Sequence, residues 1–344
     1  MPKLYYFRGK KPNFGDELNP WLWPRLIPGF LHDDDDDLFL GIGTLLNDGV
    51  PNAPRKIVFG SGYGYGNPPR VDARDWRFLC VRGPVTAKML GLPEDLAICD
   101  PAILLRRLPW PNEPKQFPVS FMPHWESLDR GNWPVACALS GIHFIDPTAP
   151  IEQVISDIRA SELIISEAMH GAIVADAMRV PWIAVQPQLH MHAPKWLDWC
   201  ASIQLSHDPE TLSSSGYAES ITAGYRRLRK KLGRHAHMQH ALHTRDKTAI
   251  SSESAPSLYG VIPNGRERRQ YLLKFSGWFL EQPAAALART LPTPISKILD
   301  TPFIQAAARD LLRISRARPK LSADSLIESL TSRLDEKLNS LSHY

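Results

Sequence analysis

The clearest candidate for chemistry in this chain is a histidine followed by a glycine, His170-Gly171, inside the stretch IISEAMHGAIVADAMRVPWIAV, Ile164–Val185. Imidazole is the side chain that gains or loses a proton near neutral pH, and glycine lets a ligand approach the backbone closely. Ser166, Glu167 and Met169 complete the turn before it. Three more cationic or titratable side chains fall in similar settings. Arg82 precedes Gly83-Pro84, His124 precedes Trp125-Glu126, and Lys195 lies in Ala193-Pro194-Lys195-Trp196-Leu197-Asp198-Trp199. Guanidinium and ammonium groups bind phosphate and carboxylate. Asn13, Asp16 and Glu17 add an amide and two carboxylates close together. This is a set suited to holding an anion and moving a proton.

The elements that position them follow from the hydrophobic pattern. Leu163–Ile165 and Pro181–Val185 read as buried parallel strands. Ala172, Ile173, Ala175, Ala177 and Met178 favour a helix of about three turns between them. His170 then falls at a strand's carboxyl end beside a helix N-terminus, where open α/β sheets bind ligands. The bland alternative is a core or capping histidine. Arg82 follows the strand Phe78–Val81 and His124 the strand Val119–Met122, so both belong to the same kind of crevice. The alternatives are a surface ion pair for Arg82 and an ordinary loop histidine for His124. Asp16 and Glu17 open a helix after Asn13-Phe14-Gly15, where acidic residues also cap well. Further strands are expected at Leu38–Ile42, Ile57–Gly60 and Ile142–Ile145. Helices are expected at Pro84–Leu90, opened by proline and closed by Gly91, and at Ile151–Ala160.

Several blocks in order resemble the polysaccharide pyruvyltransferase family, closest to its succinoglycan-type, ketal-forming members. They are Asn13-Phe14-Gly15-Asp16-Glu17-Leu18-Asn19, Gly41-Ile42-Gly43-Thr44, Phe59-Gly60-Ser61-Gly62, Val81-Arg82-Gly83-Pro84 with Thr86, Cys99-Asp100-Pro101-Ala102, Pro123-His124, and the His170 segment. Together they span roughly residues 10–200. One departure stands out: many relatives carry arginine two residues before the histidine, where this chain has Ala168. The resemblance implies phosphoenolpyruvate as donor and a sugar diol as acceptor, on an exopolysaccharide or its lipid-linked repeat unit. The products are a cyclic pyruvate ketal and phosphate. In that frame His170 and Asp16 are the expected catalytic groups. Arg82 (as main clamp), Lys195, His124, Ser166 and Gly171 bind the donor, and Asn13 and Glu17 the acceptor. No cofactor beyond the co-substrate and no metal are expected.

The resemblance also implies two Rossmann-like lobes of glycosyltransferase B type, and the sequence divides accordingly. Residues 1–115 form an N-terminal α/β lobe, 116–225 a C-terminal α/β lobe with the donor site, and 226–344 a basic helical extension. Leu108–Pro118, rich in proline, is the linker between lobes. Hydrophobic content of 43% and charged content of 22% are those of a soluble globular protein. The net charge of +4 hides an asymmetry: residues 226–344 carry 21 basic against 10 acidic side chains, whereas 1–225 sum to −7. That extension is either a solubilising appendage or a peripheral anchor on the anionic cytoplasmic leaflet, with Arg268, Arg269, Lys274, Trp278 and Phe279 as contacts. No nucleic-acid module accompanies the charge. Leu326, Leu330, Leu334, Leu338 and Leu341 put one apolar face on the last helix. The start MPKLYYFRGKK has no apolar leader core, no apolar run reaches ~18 residues, and Cys80, Cys99, Cys137 and Cys200 show no ligand spacing. The expected setting is therefore cytoplasmic, with reduced thiols.

Other features carry less. Gly60-Ser61-Gly62-Tyr63-Gly64-Tyr65-Gly66 is followed by Asn67-Pro68-Pro69, so no helix can present its N-terminus to a pyrophosphate. Asp33–Asp37 reads as a solvated acidic loop, and His235, His237, His240 and His243 lack accompanying carboxylates. The rivals to a pyruvyltransferase are a nucleotide-sugar glycosyltransferase of the same fold and a non-catalytic polysaccharide-assembly factor, the latter favoured by Ala168.

Overall fold

The computed structural model describes residues 1–9, 11–33, 36–64, 66–71, 74–187, 193–224 and 293–343. Two all-parallel sheets organise the chain. The first runs in order β1 (Lys3–Tyr5), β2 (Leu38–Leu40), β3 (Lys56–Phe59) and β4 (Trp76–Cys80). The second contains β5 (Ser120–Met122), β6 (His143–Phe144), β7 (Ile164–Ser166), β8 (Trp182–Pro187) and β9 (Glu210–Leu212) in order β6-β5-β7-β8-β9. β2, β3, β5 and β7 are buried throughout, as strands with both faces covered must be. In the second sheet the chain leaves β5 toward β6 on one side and β7 toward β8 on the other. That reversal opens a crevice at the carboxyl ends of β5 and β7.

The helix after β1, α1 (Phe14–Leu26), starts at this crevice and contains two prolines, Pro20 and Pro24. Pro20 has no N–H to give the carbonyl of Asp16, and the Asn19 amide supplies the bond instead, at 3.1 Å. Asn19 is fully buried and also bonds both Ile42 backbone groups and accepts from Trp23 Nε1. This satisfied amide fixes the first turn of α1 against the loop after β2. The Phe14 N–H donates to Pro147 O at 2.9 Å, which ties the same turn to the second sheet.

After β4 come α2 (Pro84–Leu90) and a 3₁₀ helix at Pro101–Arg107. The second half adds α3 (Trp125–Leu128), α4 (Trp133–Ser140), α5 (Ile151–Arg159), α6 (Met169–Ala177) and α7 (Ala193–Ser202). One apolar core runs through both halves: Phe14, Leu18, Trp23, Phe39 and Phe59 share a cluster with Ile155, Ile164, Ile173 and Trp182. The C-terminal helices α8 (Thr293–Ile314) and α9 (Asp324–Asn339) join this body. α8 packs on α4 and β9, and α9 packs on the 3₁₀ helix and β4 with Ile327, Leu330 and Leu334 buried. All four cysteines are buried and free, and burial pushes their thiols up.

Asp37 departs from the solvated-loop reading. It is buried and its carboxylate accepts two hydrogen bonds from Arg55, because the chain must enter β2 there. Asp34 and Asp35, the histidines at 235–243 and the expected anchors Arg268, Arg269, Lys274, Trp278 and Phe279 lie outside the described residues. No helix among the described residues is long and apolar enough to cross a membrane.

Candidate active site

β7 ends at Ser166, and the turn through Glu167 and Ala168 leads into α6 with His170 as its second residue. The Ser166 hydroxyl is fully buried and donates to Ala168 O at 2.7 Å. Gly171 lies against that hydroxyl, where an added Cβ would overlap Ser166 Oγ. Ser166 and Gly171, expected to touch the donor, are buried inside the turn and build its framework. His170 is largely buried. Gly15 of α1 packs against its ring so closely that a Cβ there would overlap Nδ1. On the other side, His170 Nε2 stands 3.6 Å from Asp100 Oδ2.

Asn13 begins α1 with extended backbone, yet its side chain makes no capping bond. Its amide donates to Asp16 Oδ2 at 2.6 Å. Burial raises the Asp16 carboxyl, while the Asn13 bond and the charges of His170 and Lys195 pull it down. Three expected site residues from distant parts of the sequence thus meet electrostatically. Glu17, the next residue of α1, points about 100° further round the helix; both acids lie in the first turn, half-buried.

Arg82 was expected to clamp the donor directly. It is instead fully buried, with Nε bonded to Asp198 Oδ2 at 3.0 Å, Nη1 to Thr44 Oγ1 at 2.9 Å and Nη2 to Tyr63 O at 3.1 Å. Asp198, on α7, is also fully buried and accepts from the N–H and hydroxyl of Thr86. Gly62 lies against the guanidinium, where a Cβ would overlap Cζ. The glycine-rich loop after β3 therefore serves close packing on a cation. Arg82 pins α7, which lies between β8 and β9 of the second sheet in the chain, to the end of β4 in the first. One turn before Asp198 on α7 is Lys195, half-buried. Burial and the Arg82 charge push its ammonium down to about 8, and Asp16, Glu126 and Glu167 pull it back up.

His124 caps α3, with Nδ1 accepting from the Glu126 N–H at 3.4 Å. Its own N–H donates to Glu167 Oε2 at 2.8 Å, and Ser127 Oγ donates to Oε1 at 2.7 Å. Burial pushes the Glu167 carboxyl up to about 7 against those bonds. Behind it Glu219, buried, is pushed up to about 8 by burial and by Glu167.

Two residues of this cluster, Glu167 and Asp100, carry no assigned role in the sequence reading, although the His170 turn and the Cys99-Asp100-Pro101-Ala102 block contain them. Glu167 is the first residue past β7, so its position at a strand's carboxyl end was the available signal. Asp100 sits in the Cys99-Asp100-Pro101-Ala102 block, ahead of a proline that opens the 3₁₀ helix. Among the described residues no group of three or more His, Cys, Asp or Glu is arranged to hold a metal ion. The cluster can do three things: attract an anion through Lys195, supply or take a proton through His170, and orient a hydroxyl through Asp16.

No solved structure matches the chain. The chain is 43% identical to the succinoglycan biosynthesis protein ExoV of Rhizobium meliloti (strain 1021) over 227 residues, 65% of this chain and 72% of that relative. The family model for polysaccharide pyruvyl transferase matches residues 2–188, a span that carries Asn13, Asp16, Arg82, Asp100, His124, Glu167 and His170. The chain belongs to the polysaccharide pyruvyl transferase family.

Proposed function

We propose that this transferase moves pyruvate from phosphoenolpyruvate onto a sugar diol of an exopolysaccharide or its lipid-linked repeat unit. The relative's part in succinoglycan biosynthesis makes a succinoglycan-type oligosaccharide the first acceptor to test. The observation that carries this reading is that His170 packs on the first turn of α1, the turn that holds Asp16, with the Lys195 charge acting on that carboxyl.

The donor's phosphate and carboxylate need fixed positive charge. Lys195 and the N-terminal end of α6 supply it, while Arg82 holds α7 in place behind Lys195. Protonation of the methylene carbon by His170 leaves C2 with oxocarbenium character, and an acceptor hydroxyl adds there. Asp16, oriented by Asn13, takes that hydroxyl's proton. The C2–O bond to phosphate breaks and the second hydroxyl closes the ring. One proton ends on the new methyl group, and the balance leaves with phosphate. The two-sheet arrangement is read as a glycosyltransferase B-like pair of lobes with the reaction between them. The cytoplasm, with Arg268, Arg269 and Lys274 of the basic stretch toward an anionic leaflet, is its proposed location.

Calorimetric titration tests the donor. Phosphoenolpyruvate binds saturably, Lys195→Met weakens it at least tenfold, and nucleotide sugars give no heat. Binding of a nucleotide sugar in place of phosphoenolpyruvate overturns the reading and makes the chain a glycosyltransferase.

A further inference from the structure

We infer that Asp100 is a positioning residue: it holds the proton of His170 on Nε2 and so makes Nδ1 the nitrogen that exchanges a proton with the reactants. The second half of this inference rests on the proposed function, in which His170 transfers the proton.

The Asp100 carboxylate is fully buried. Its Oδ1 accepts the Ala102 N–H at 3.0 Å and caps the 3₁₀ helix. Capping alone does not require a charge, because asparagine and serine cap as well. Oδ2 has no hydrogen-bond partner among the described residues, and neither does His170 Nε2, which is also buried. These two orphan atoms face each other at 3.6 Å. That is longer than a hydrogen bond, as catalytic bonds often are before the reactants tighten them.

A buried acceptor left without a donor costs free energy, and a buried carboxylate costs more. A carboxylate can only accept, so the proton between the two must come from His170. Neutral imidazole carries one N–H, and fixing it on Nε2 leaves Nδ1 bare. The proton that His170 gives the methylene carbon is therefore one that Nδ1 first takes up from solvent, as imidazolium, when the anionic donor binds. Nδ1 packs against Gly15 in the first turn of α1, the turn that also carries Asp16, whose carboxyl the His170 charge pulls down. The proton-exchanging nitrogen thereby lies against the first turn of α1, and the tautomer is set from behind by an element of the other sheet's half.

The test is imidazole ¹⁵N NMR on the full chain without donor, with His170→Asn used to assign the signal. Wild type shows the Nε2–H tautomer. Asp100→Asn keeps the Ala102 cap and turns an amide N–H toward Nε2, so the signal moves to the Nδ1–H tautomer. In parallel, kcat with phosphoenolpyruvate falls by about two to four orders of magnitude while KM for the donor stays within about threefold. Asp100→Ser keeps the cap, leaves Nε2 without a carboxylate, and loses kcat similarly. A wild-type Nδ1–H tautomer overturns the inference, as does an Asp100→Asn spectrum with the tautomer unchanged. Loss of kcat only in proportion to a lost folded fraction does the same. The wild-type spectrum needs neither a variant nor the donor. If no pyruvyl transfer is found, the tautomer still decides whether Asp100 positions His170, while the proton-exchange role falls with the proposed function.

Discussion

Lys195 is the residue whose environment makes the sharpest claim about ligand binding. Burial and Arg82 bring its ammonium down to about 8 from an ordinary 10.5. The charged form, which an anionic donor needs, therefore dominates below about 8 and is lost above it. Donor affinity should fall up to about tenfold per pH unit beyond that point, and donor binding should take up a proton there. Between about 8 and 10.5 the unfolded chain holds the Lys195 proton more tightly than the folded one. Lys195's own contribution to stability thus rises with pH across that window, so loss of affinity there is not loss of fold. Calorimetry from pH 6.5 to 9.5 beside thermal melts checks this. Lys195→Arg, whose charge persists, should flatten the profile, and a wild-type affinity constant to pH 9.5 would sink the idea. His170 was legible in the sequence because a strand, a turn, a glycine and a helix coincide locally. Asp100, 70 positions away, was not, since its role exists only once the 3₁₀ helix packs on α6. Arg82 was legible as an important cation but not as a buried one, because its partner Asp198 lies 116 residues further on.

At the scale of elements, the Arg82–Asp198 pair joins the end of β4 to α7, and both side chains are fully buried. Removing one partner leaves the other charge unpaired in the interior, which typically costs about 3–5 kcal/mol. Asp198→Ala should show that loss in chemical denaturation. The double variant Arg82→Met/Asp198→Leu should recover much of it, because apolar pairs can replace buried ion pairs at little cost. Donor binding should not recover, since the double variant removes the bonds that hold α7 under Lys195 and fix Thr44. Recovery of both stability and affinity would show that α7 needs no such pin. Elements whose signals are local were readable in advance. α2 begins at a proline and ends at Gly91, whose φ of 63° suits glycine, and the sequence expectation matched both ends. α4 carries the same marks, a proline in its first turn and Gly141 after its end, in a stretch between the strands expected at Val119–Met122 and Ile142–Ile145 where no helix was expected. β9, Glu-Thr-Leu, has no apolar alternation at all; β8 defines it by pairing.

At the scale of the whole molecule, the last fifty residues are built into the support of the site. Lys320 forms an antiparallel bridge with Trp182 at the start of β8. The Ser322 N–H and hydroxyl both donate to the buried carboxylate of Asp176 in α6, which also accepts from Trp182 Nε1. Arg179, held at a left-handed φ of 60°, donates to Ser322 O. α9 then lays Ile327, Leu330 and Leu334 on the 3₁₀ helix that Asp100 opens. The helix carrying His170 and the turn carrying Asp100 are therefore braced from behind by one C-terminal segment. A deletion running to residue 344 consequently tests folding rather than membrane attachment. Fully burying three such aliphatic side chains is worth on the order of 5–9 kcal/mol, comparable with the ~5–15 kcal/mol net stability of a typical domain. A chain stopped after residue 319 should lose its cooperative thermal transition. Ser322→Ala, which removes only the hydroxyl bond to Asp176, should keep that transition and lose about 1–3 kcal/mol. If the truncated chain melted cooperatively near the wild-type temperature, α9 would be an appendage, and the Asp100–His170 arrangement would stand without it.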